Sequence, residues 1–241
     1  MKKRLDLLVA ELGLAENRTV AAKYILAGKI MVNDQIITKA GTLIDVSSNI
    51  KFCGELKKYV SRGGEKLELA IKTFNIDFTD KTVLDIGIST GGFTDCALQF
   101  KAKSVTGVDV GYGQVAMKLQ NDRRVEIIER KNARYLDLNN LFDVILCDVS
   151  FISVLKLVHT FNKHLKVGGE LIVLIKPQFE AGKEHICKGG IVKDKEVHNQ
   201  IIDKIKKVFE DNNFKFIGIV ESKILLPKGN LEFISYWHKI N

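Results

Sequence analysis

The sequence lacks any apolar run approaching the ~20 residues that a membrane-spanning helix requires. Its start, MKKRLDLLVAELGL, has the basic opening of a signal peptide, but Asp6 and Glu11 break the apolar core, so an exported chain is not expected. Cysteine is sparse. Cys53, Cys96, Cys147 and Cys187 are scattered with no C-x-x-C, which argues against a disulfide framework or a zinc site and for reduced thiols in a cytoplasm. The five histidines, at 159, 164, 185, 198 and 238, form no cluster with other ligands, so no metal is expected and they read as surface or structural residues. There is no internal repeat and no low-complexity segment. What the chain has in excess is positive charge: 37 Lys and Arg stand against 29 acids, a net +8 and a pI of about 9.2. That balance suits an anionic partner, nucleic acid before an anionic membrane surface. With 46% hydrophobic residues over 241 positions there is material for one large domain and a small one.

The stretch around which the rest is arranged runs from Thr82 to Asp109. An apolar run (Val83, Leu84, Ile86, with Asp85 between) leads into a turn of small residues, Gly87, Ser89, Thr90, Gly91 and Gly92. A helix-compatible segment follows from Phe93, then a second apolar run from Val105 to Val108, closed by Asp109. Strand, small-residue turn, helix, strand and acidic end form a nucleotide pocket at the carboxyl ends of parallel strands. The spacing is not the G-x-G-x-x-G of dinucleotide enzymes. Asp85-x-Gly87-x-Ser89-x-Gly91-Gly92 instead resembles the S-adenosylmethionine loop of Rossmann-like methyltransferases. On that resemblance Asp85, Gly87, Ser89, Gly91 and Gly92 hold the cofactor and Asp109 accepts from its ribose hydroxyls. Phe93 opens the helix as core packing that also touches the ligand. Asn132, in KNARYLD after a third strand, matches a position that faces the adenine in related methyltransferases.

Residues 1–60 carry ten basic residues against six acids, half of the chain's net charge on a quarter of its length. Leu5, Leu8, Val9 and Leu12 mark one face of a helix. Asn17 or Thr19 caps a second, which ends at Gly28. Ile30 and Val32 begin a strand, Asn33-Asp34 a turn, and Ile36-Ile37 another strand. Two helices followed by GKIMVND resemble the small RNA-binding domain first known from ribosomal small-subunit protein four. On that resemblance Arg4, Arg18, Lys23 and Lys29 present the RNA-binding face. GELKKYVSRGG (54–64) reads as a linker, and Leu67, Ala70, Ile71 and Phe74 as a helix leading into a second domain, 61–241. There, strands are expected at Val125–Ile128, Phe142–Cys147, Leu171–Ile175, Phe214–Val220 and Glu232–Trp237. Val154–Leu165 suits a helix, and Ile201, Ile205 and Val208 mark another. The expected fold is α/β: a Rossmann-like domain with a mostly parallel sheet, preceded by the small α+β domain. The last two strands suit a hairpin through Pro227, Gly229 and Asn230.

Asp148, in CDVSF, and Lys176, in LIKPQFE, each follow an apolar strand on the rim that carries the Gly-rich turn. A lysine closing so apolar a strand needs a partner, and Asp148 is the natural one. The motifs SRGGEKL (61–67), LDIGISTGGFTD (84–95), GVDVGYGQ (107–114), CDVSF (147–151), IKPQFE (175–180), KGGIVKD (188–194) and GNLEF (229–233) together resemble the TlyA family, called hemolysin A in older naming. That family joins the small RNA-binding domain to an FtsJ-like ribose 2′-O-methyltransferase domain. Its Lys-Asp-Lys-Glu tetrad falls on Lys66, Asp148, Lys176 and Glu232. The implied activity is S-adenosylmethionine-dependent 2′-O-methylation of ribose, on cytidine, with ribosomal RNA or ribosomal subunits as partners. The chemistry fits the residue types. A ribose hydroxyl is a poor nucleophile, and lysine is a poor base until a second cation or burial lowers its pKa. The acids would hold the two ammonium groups in place, leaving Lys176 to handle the hydroxyl.

The segment 177–195 carries four lysines, at 183, 188, 193 and 195, and reads as a substrate-side flap on RNA phosphates or as a solvated loop. Two other functions compete with the enzyme. A membrane-lytic hemolysin is disfavoured by the missing apolar run, and a non-catalytic RNA-binding factor by the intact tetrad.

Overall fold

A computed structural model describes residues 1–15, 17–53, 58–222 and 230–241. The chain divides into two compact units, Met1–Lys57 and Lys58–Asn241.

In the first unit, helices Leu5–Glu11 and Arg18–Leu26 pack through Leu5, Val9, Ala21 and Ile25 onto Ile30 and Val32. Asn17 caps the second helix, its Oδ1 accepting the Val20 N–H at 3.0 Å. Leu12 is not part of the buried stripe. The first helix stops there, before Gly13 at φ +71°, and Leu12 is 57% exposed. Strand Ile30–Val32 pairs with Gln35–Ile36 and Ile50–Phe52. The turn between the first two has both Asn33 (φ 49°) and Asp34 (φ 64°) left-handed, as a tight two-residue hairpin demands. A second pair, Lys2–Arg4 with Leu43–Asp45, was not legible in the short, mostly polar segments that form it.

In the second unit, seven strands lie in the order Phe214–Ser222, Glu232–Lys239, Leu165–Ile175, Phe142–Cys147, Thr82–Ile86, Ser104–Val108, Val125–Ile128. Glu232–Lys239 is antiparallel to both neighbours, and the other ladders are parallel. The turn of this final pair, with Pro227 and Gly229, lies outside the described residues. Alternate residues of each central strand go to opposite faces. Val83, Val144, Leu146, Ile172 and Leu174 meet helices Gly63–Phe74 and Gly92–Gln99 on one side. Leu84, Ile86, Ile145, Cys147 and Val173 meet helices Val158–His164 and Lys195–Glu210 on the other. With both faces covered, these strands read as mostly apolar runs, interrupted at Asp85 and Asp143. Each fully buried Leu or Ile contributes roughly 1.5–3 kcal/mol.

Three segments differ from the sequence-based reading. Val154–Leu157 is a 3₁₀ turn and the α-helix starts at Val158. The next strand starts at Leu165, earlier than expected, because a register shift before Glu170 and Gly168 at φ +76° let the chain enter the sheet early. Lys58–Gly64 is packed rather than an open linker. Tyr59 is 3% exposed, the Val60 N–H donates to Asp95 at 2.9 Å, and Gly63-Gly64 opens a helix.

Candidate active site

The carboxyl ends of the parallel strands carry two adjoining clefts, of about 580 Å³ and about 440 Å³. Both are lined by Gly87, Ser89, Asp148 and Ser150, so the Gly-rich turn is the ridge between them. A separate hollow of about 620 Å³ sits at the opposite ends of the strands, beside Thr82, Ser104 and Phe142, remote from this chemistry.

The turn exists because glycine permits it. Gly87 has φ +88°, and a Cβ there would lie 2.4 Å from the Asp148 carbonyl oxygen. The loop after Thr82–Ile86 therefore presses directly on the loop after Phe142–Cys147. Gly92 plays the matching part between helices: a Cβ would meet the Ser61 Oγ at 2.2 Å and the Gly64 backbone nitrogen at 2.9 Å. This close approach seats the start of helix Gly63–Phe74, and with it Lys66, on the rim. Gly91, at φ +96°, is the N-cap of helix Gly92–Gln99 and lines neither cleft.

The larger cleft holds Asp109 and Asn132. Asp109 accepts the Ser89 N–H at 2.8 Å and the Gly111 N–H at 2.7 Å, one on each carboxylate oxygen. Each oxygen retains acceptor capacity for a further donor. Asn132 Oδ1 accepts the Arg134 N–H at 3.0 Å and so holds its turn at the cleft wall. Phe93 is buried in the core and shows an edge to the smaller cleft. Asp85 corrects the sequence reading. It is fully buried, lines neither cleft, and accepts the Thr94 hydroxyl at 2.6 Å, while its Oδ1 has no partner. Burial, with Asp148 and Asp109 adding repulsion, pushes its carboxyl up to about 7. Its place is beneath the loop, bracing the helix start rather than touching a ligand.

The smaller cleft gathers Lys66, Asp148, Lys176 and Glu232 from four distant parts of the chain. Lys66 pairs with Glu232. Lys176 Nζ lies 2.6 Å from Asp148 Oδ1, an ion pair without the angles of a hydrogen bond, and donates to Ser150 Oγ at 2.9 Å. Topology explains Glu232. Its strand is the reversed one, with Phe233 opposite Ile175, so a residue at the start of that strand reaches the rim where the parallel strands end. Glu180, mostly buried, ties the two active loops together by accepting the Ser153 hydroxyl at 2.6 Å and the Val154 N–H at 2.9 Å. Burial raises its pKa.

Two rim residues escaped the sequence reading. Ser150 is polar and within hydrogen-bond reach of Lys176. Phe151 is 91% exposed, has φ +65°, and leans on Phe179 with ring centroids 5.1 Å apart. The CDVSF motif contained both, but nothing in it distinguishes an outward phenylalanine from a core one. The segment 177–195 is folded rather than loose. It holds the short helix Pro177–Glu180 and a bridge between Cys187 and Ile191, and Asn230 accepts the Val192 N–H and donates to the Gly190 carbonyl. Its four lysines are exposed.

In the first unit, Arg4 and Arg18 are not free basic side chains. Both grip the buried Asp6, Arg4 through two hydrogen bonds of 3.0 and 2.8 Å and Arg18 through one of 2.9 Å. Arg4 and then burial set the balance that leaves the Asp6 carboxyl at about 2. Lys23 and Lys29 have no ion-pair partner among the described residues, and Lys23 is exposed.

Among the described residues no group of three His, Cys, Asp or Glu could hold a metal ion, and no helix is long and apolar enough to cross a membrane. A family profile described as FtsJ-like methyltransferase matches residues 59–239, and an S4 domain profile matches residues 3–50. The Bacillus subtilis protein YqxC is 42% identical, aligned over 98% of this chain and 86% of its own. A Mycobacterium tuberculosis protein named 16S/23S rRNA (cytidine-2′-O)-methyltransferase TlyA is 33% identical, over 96% of this chain and 88% of its own. A solved structure from Streptococcus thermophilus superposes with a TM-score of 0.75 at 39% identity, covering 100% of this chain and 89% of that one.

Proposed function

The chain belongs to the FtsJ-like methyltransferase family, and we propose that it methylates the ribose 2′-hydroxyl of a cytidine in ribosomal RNA. The observation that carries this reading is the smaller cleft, where two lysines, each held by a carboxylate, adjoin the Gly-rich turn. The methyl donor is S-adenosylmethionine, which when bound supplies an electrophilic sulfonium methyl. The larger cleft fits it. Asp109 retains acceptor capacity for ribose hydroxyls, and Asn132, on the wall of the same cleft, is the residue we assign to the adenine.

Lys176 is the group we assign to the hydroxyl. Its ammonium has three N–H donors and spends them on few partners: Asp148 in an ion pair and Ser150 in a hydrogen bond. The remaining N–H is available to the incoming 2′-oxygen, which it orients for in-line attack; alignment of this kind supplies much of the rate. Lys66, anchored by Glu232, adds a second positive charge in the same cleft, which favours loss of the hydroxyl proton to water as the oxygen takes the methyl group. Phe151 and Phe179 at the mouth offer a face on which the target base can stack. We read residues 1–60 as the RNA-binding domain and 61–241 as the catalytic one, acting on ribosomal RNA or subunits in the cytoplasm, with the lysines of 177–195 on substrate phosphates. In the small domain Lys23 and Lys29 supply mobile charge, while Arg4 and Arg18 are preset by Asp6.

Mapping ribose methylation on ribosomal RNA from cells with and without the protein tests the activity. Loss of a 2′-O-methylcytidine is expected, and an unchanged map refutes the reading. Leakage of liposomes by the purified protein, in place of methyl transfer, would favour the hemolysin alternative.

A further inference from the structure

Beyond the larger cleft, on the side away from Lys66 and Glu232, the rim carries large side chains that no part of the proposed chemistry uses. Tyr112 is 67% exposed and Tyr135 69%. Each is paired with an arginine. The Arg130 guanidinium lies 4.1 Å from the Tyr112 ring centroid, and that of Arg134 lies 5.3 Å from the Tyr135 ring. The Arg130 N–H donates to the Gly111 carbonyl at 3.1 Å and the Lys131 N–H to the Asp109 carbonyl at 2.9 Å, which ties the loop of Tyr112 to the segment of Arg130; the 3₁₀ turn Ala133–Tyr135 follows directly, and Val110, Lys131 and Arg134 line the same edge of the larger cleft. Arg130 holds a left-handed φ of 57°, a conformation that costs a non-glycine residue energy.

The charges nearby leave this edge positive. Asp137 is neutralised by Lys163, and Asp109 and Glu129, which accept only backbone N–H groups, are outnumbered by Arg130, Lys131 and Arg134. Arg130, Lys131 and Arg134 enter no ion pair among the described residues. Exposed aromatic faces backed by unpaired guanidinium groups are poor surface chemistry for a solvated rim. They match a strand of RNA, whose bases stack on tyrosine and arginine planes and whose phosphates take up the positive charge.

We propose that Tyr112, Arg130, Arg134 and Tyr135 form a second RNA-binding surface, which stacks unpaired bases flanking the target nucleotide. The proposal rests on RNA being the substrate and adds where on the catalytic unit its flanking strand is held.

The test uses the full-length protein, a single-stranded oligocytidylate of about ten nucleotides, deproteinised ribosomal RNA and purified ribosomal subunits. Tyr112 and Tyr135 line neither cleft, so Tyr112→Ala with Tyr135→Ala should leave cofactor affinity and melting temperature unchanged. The double variant should lose roughly tenfold or more in affinity for oligonucleotide and RNA, the size of a lost base stack. Arg130→Gln should reduce the slope of log affinity against log salt by about one. Wild-type binding to the double variant, or an equal loss of cofactor affinity, overturns the surface while leaving the methyltransferase reading intact. A loss seen only with intact subunits marks a protein partner and overturns it too. Failure of the unmodified protein to bind any of these RNAs overturns both readings.

Discussion

Replacing Lys176 separates a chemical role from a structural one, because the same side chain does two things. Its ammonium lies 2.6 Å from Asp148, with side-chain exposures of 11% and 22%. Deleting one member of a fully buried pair costs about 3–5 kcal/mol, since the other charge is left unpaired. This pair keeps some access to water, so Lys176→Ala should cost about 2–3 kcal/mol. For a unit of this size that lowers Tm by roughly 4–12 °C, at about 2–4 °C per kcal/mol. If Lys176 also orients the 2′-hydroxyl for attack, the rate should fall by at least ~10²-fold, about 2.7 kcal/mol of activation free energy, in the fraction that remains folded. Lys176→Arg divides the two effects. A guanidinium can still pair with Asp148, so most of the Tm should return. Its planar fork has a different shape and directs its N–H groups elsewhere, so the rate should not. Single-turnover methyl transfer beside a melting curve, both at a temperature well below Tm, gives the two numbers. Lys176→Arg within tenfold of the wild-type rate, or a well-folded Lys176→Ala enzyme with near-wild-type rate, refutes the assignment.

Asp109→Ala should weaken S-adenosylmethionine binding by about 1.5–3 kcal/mol, the worth of a hydrogen bond to a charged group, and calorimetry that finds unchanged affinity takes Asp109 out of the cofactor's reach. Asp85 tests pH linkage: its carboxyl, at about 7 in the folded protein against about 3.9 unfolded, holds a proton that the unfolded chain releases, so its contribution to stability falls as pH rises from about 4 through 7. Asp85→Asn, which keeps an acceptor for Thr94 and cannot ionise, should therefore raise Tm relative to wild type more at pH 8 than at pH 5, and parallel pH profiles would contradict the buried-acid account. Substituting Lys23 and Lys29 with glutamine should weaken RNA binding and lower its salt slope by up to about two, measured by filter binding over a salt series, without altering cofactor affinity.

Much of the architecture was present in the residue pattern alone. The apolar runs at 83–86, 105–108 and 142–147 mark central strands because both faces of this sheet are covered, so nearly every strand position must be apolar. The Gly-rich turn and the acidic residue closing the next strand locate the cofactor rim, since such loops sit at strand carboxyl ends whatever the rest of the chain does. What the pattern did not carry was which polar side chains face the clefts. Asp85 and Asp109 look alike in sequence, each beside an apolar strand residue, yet one is sealed inside the sheet on Thr94 and the other lies on the cleft wall. That outcome depends on strand pleat and on where the strand stops, both set by neighbouring strands. Arg4 and Arg18 likewise read as free positive charge until folding brings Asp6 between them. The pairing of Lys66 with Glu232, 166 positions apart, depends on a reversed final strand and on the close helix approach at Gly92. Sequence alone sets periodicity and turn chemistry, which are local. Tertiary structure decides the partners of charged groups, because their burial and pairing depend on segments distant along the chain.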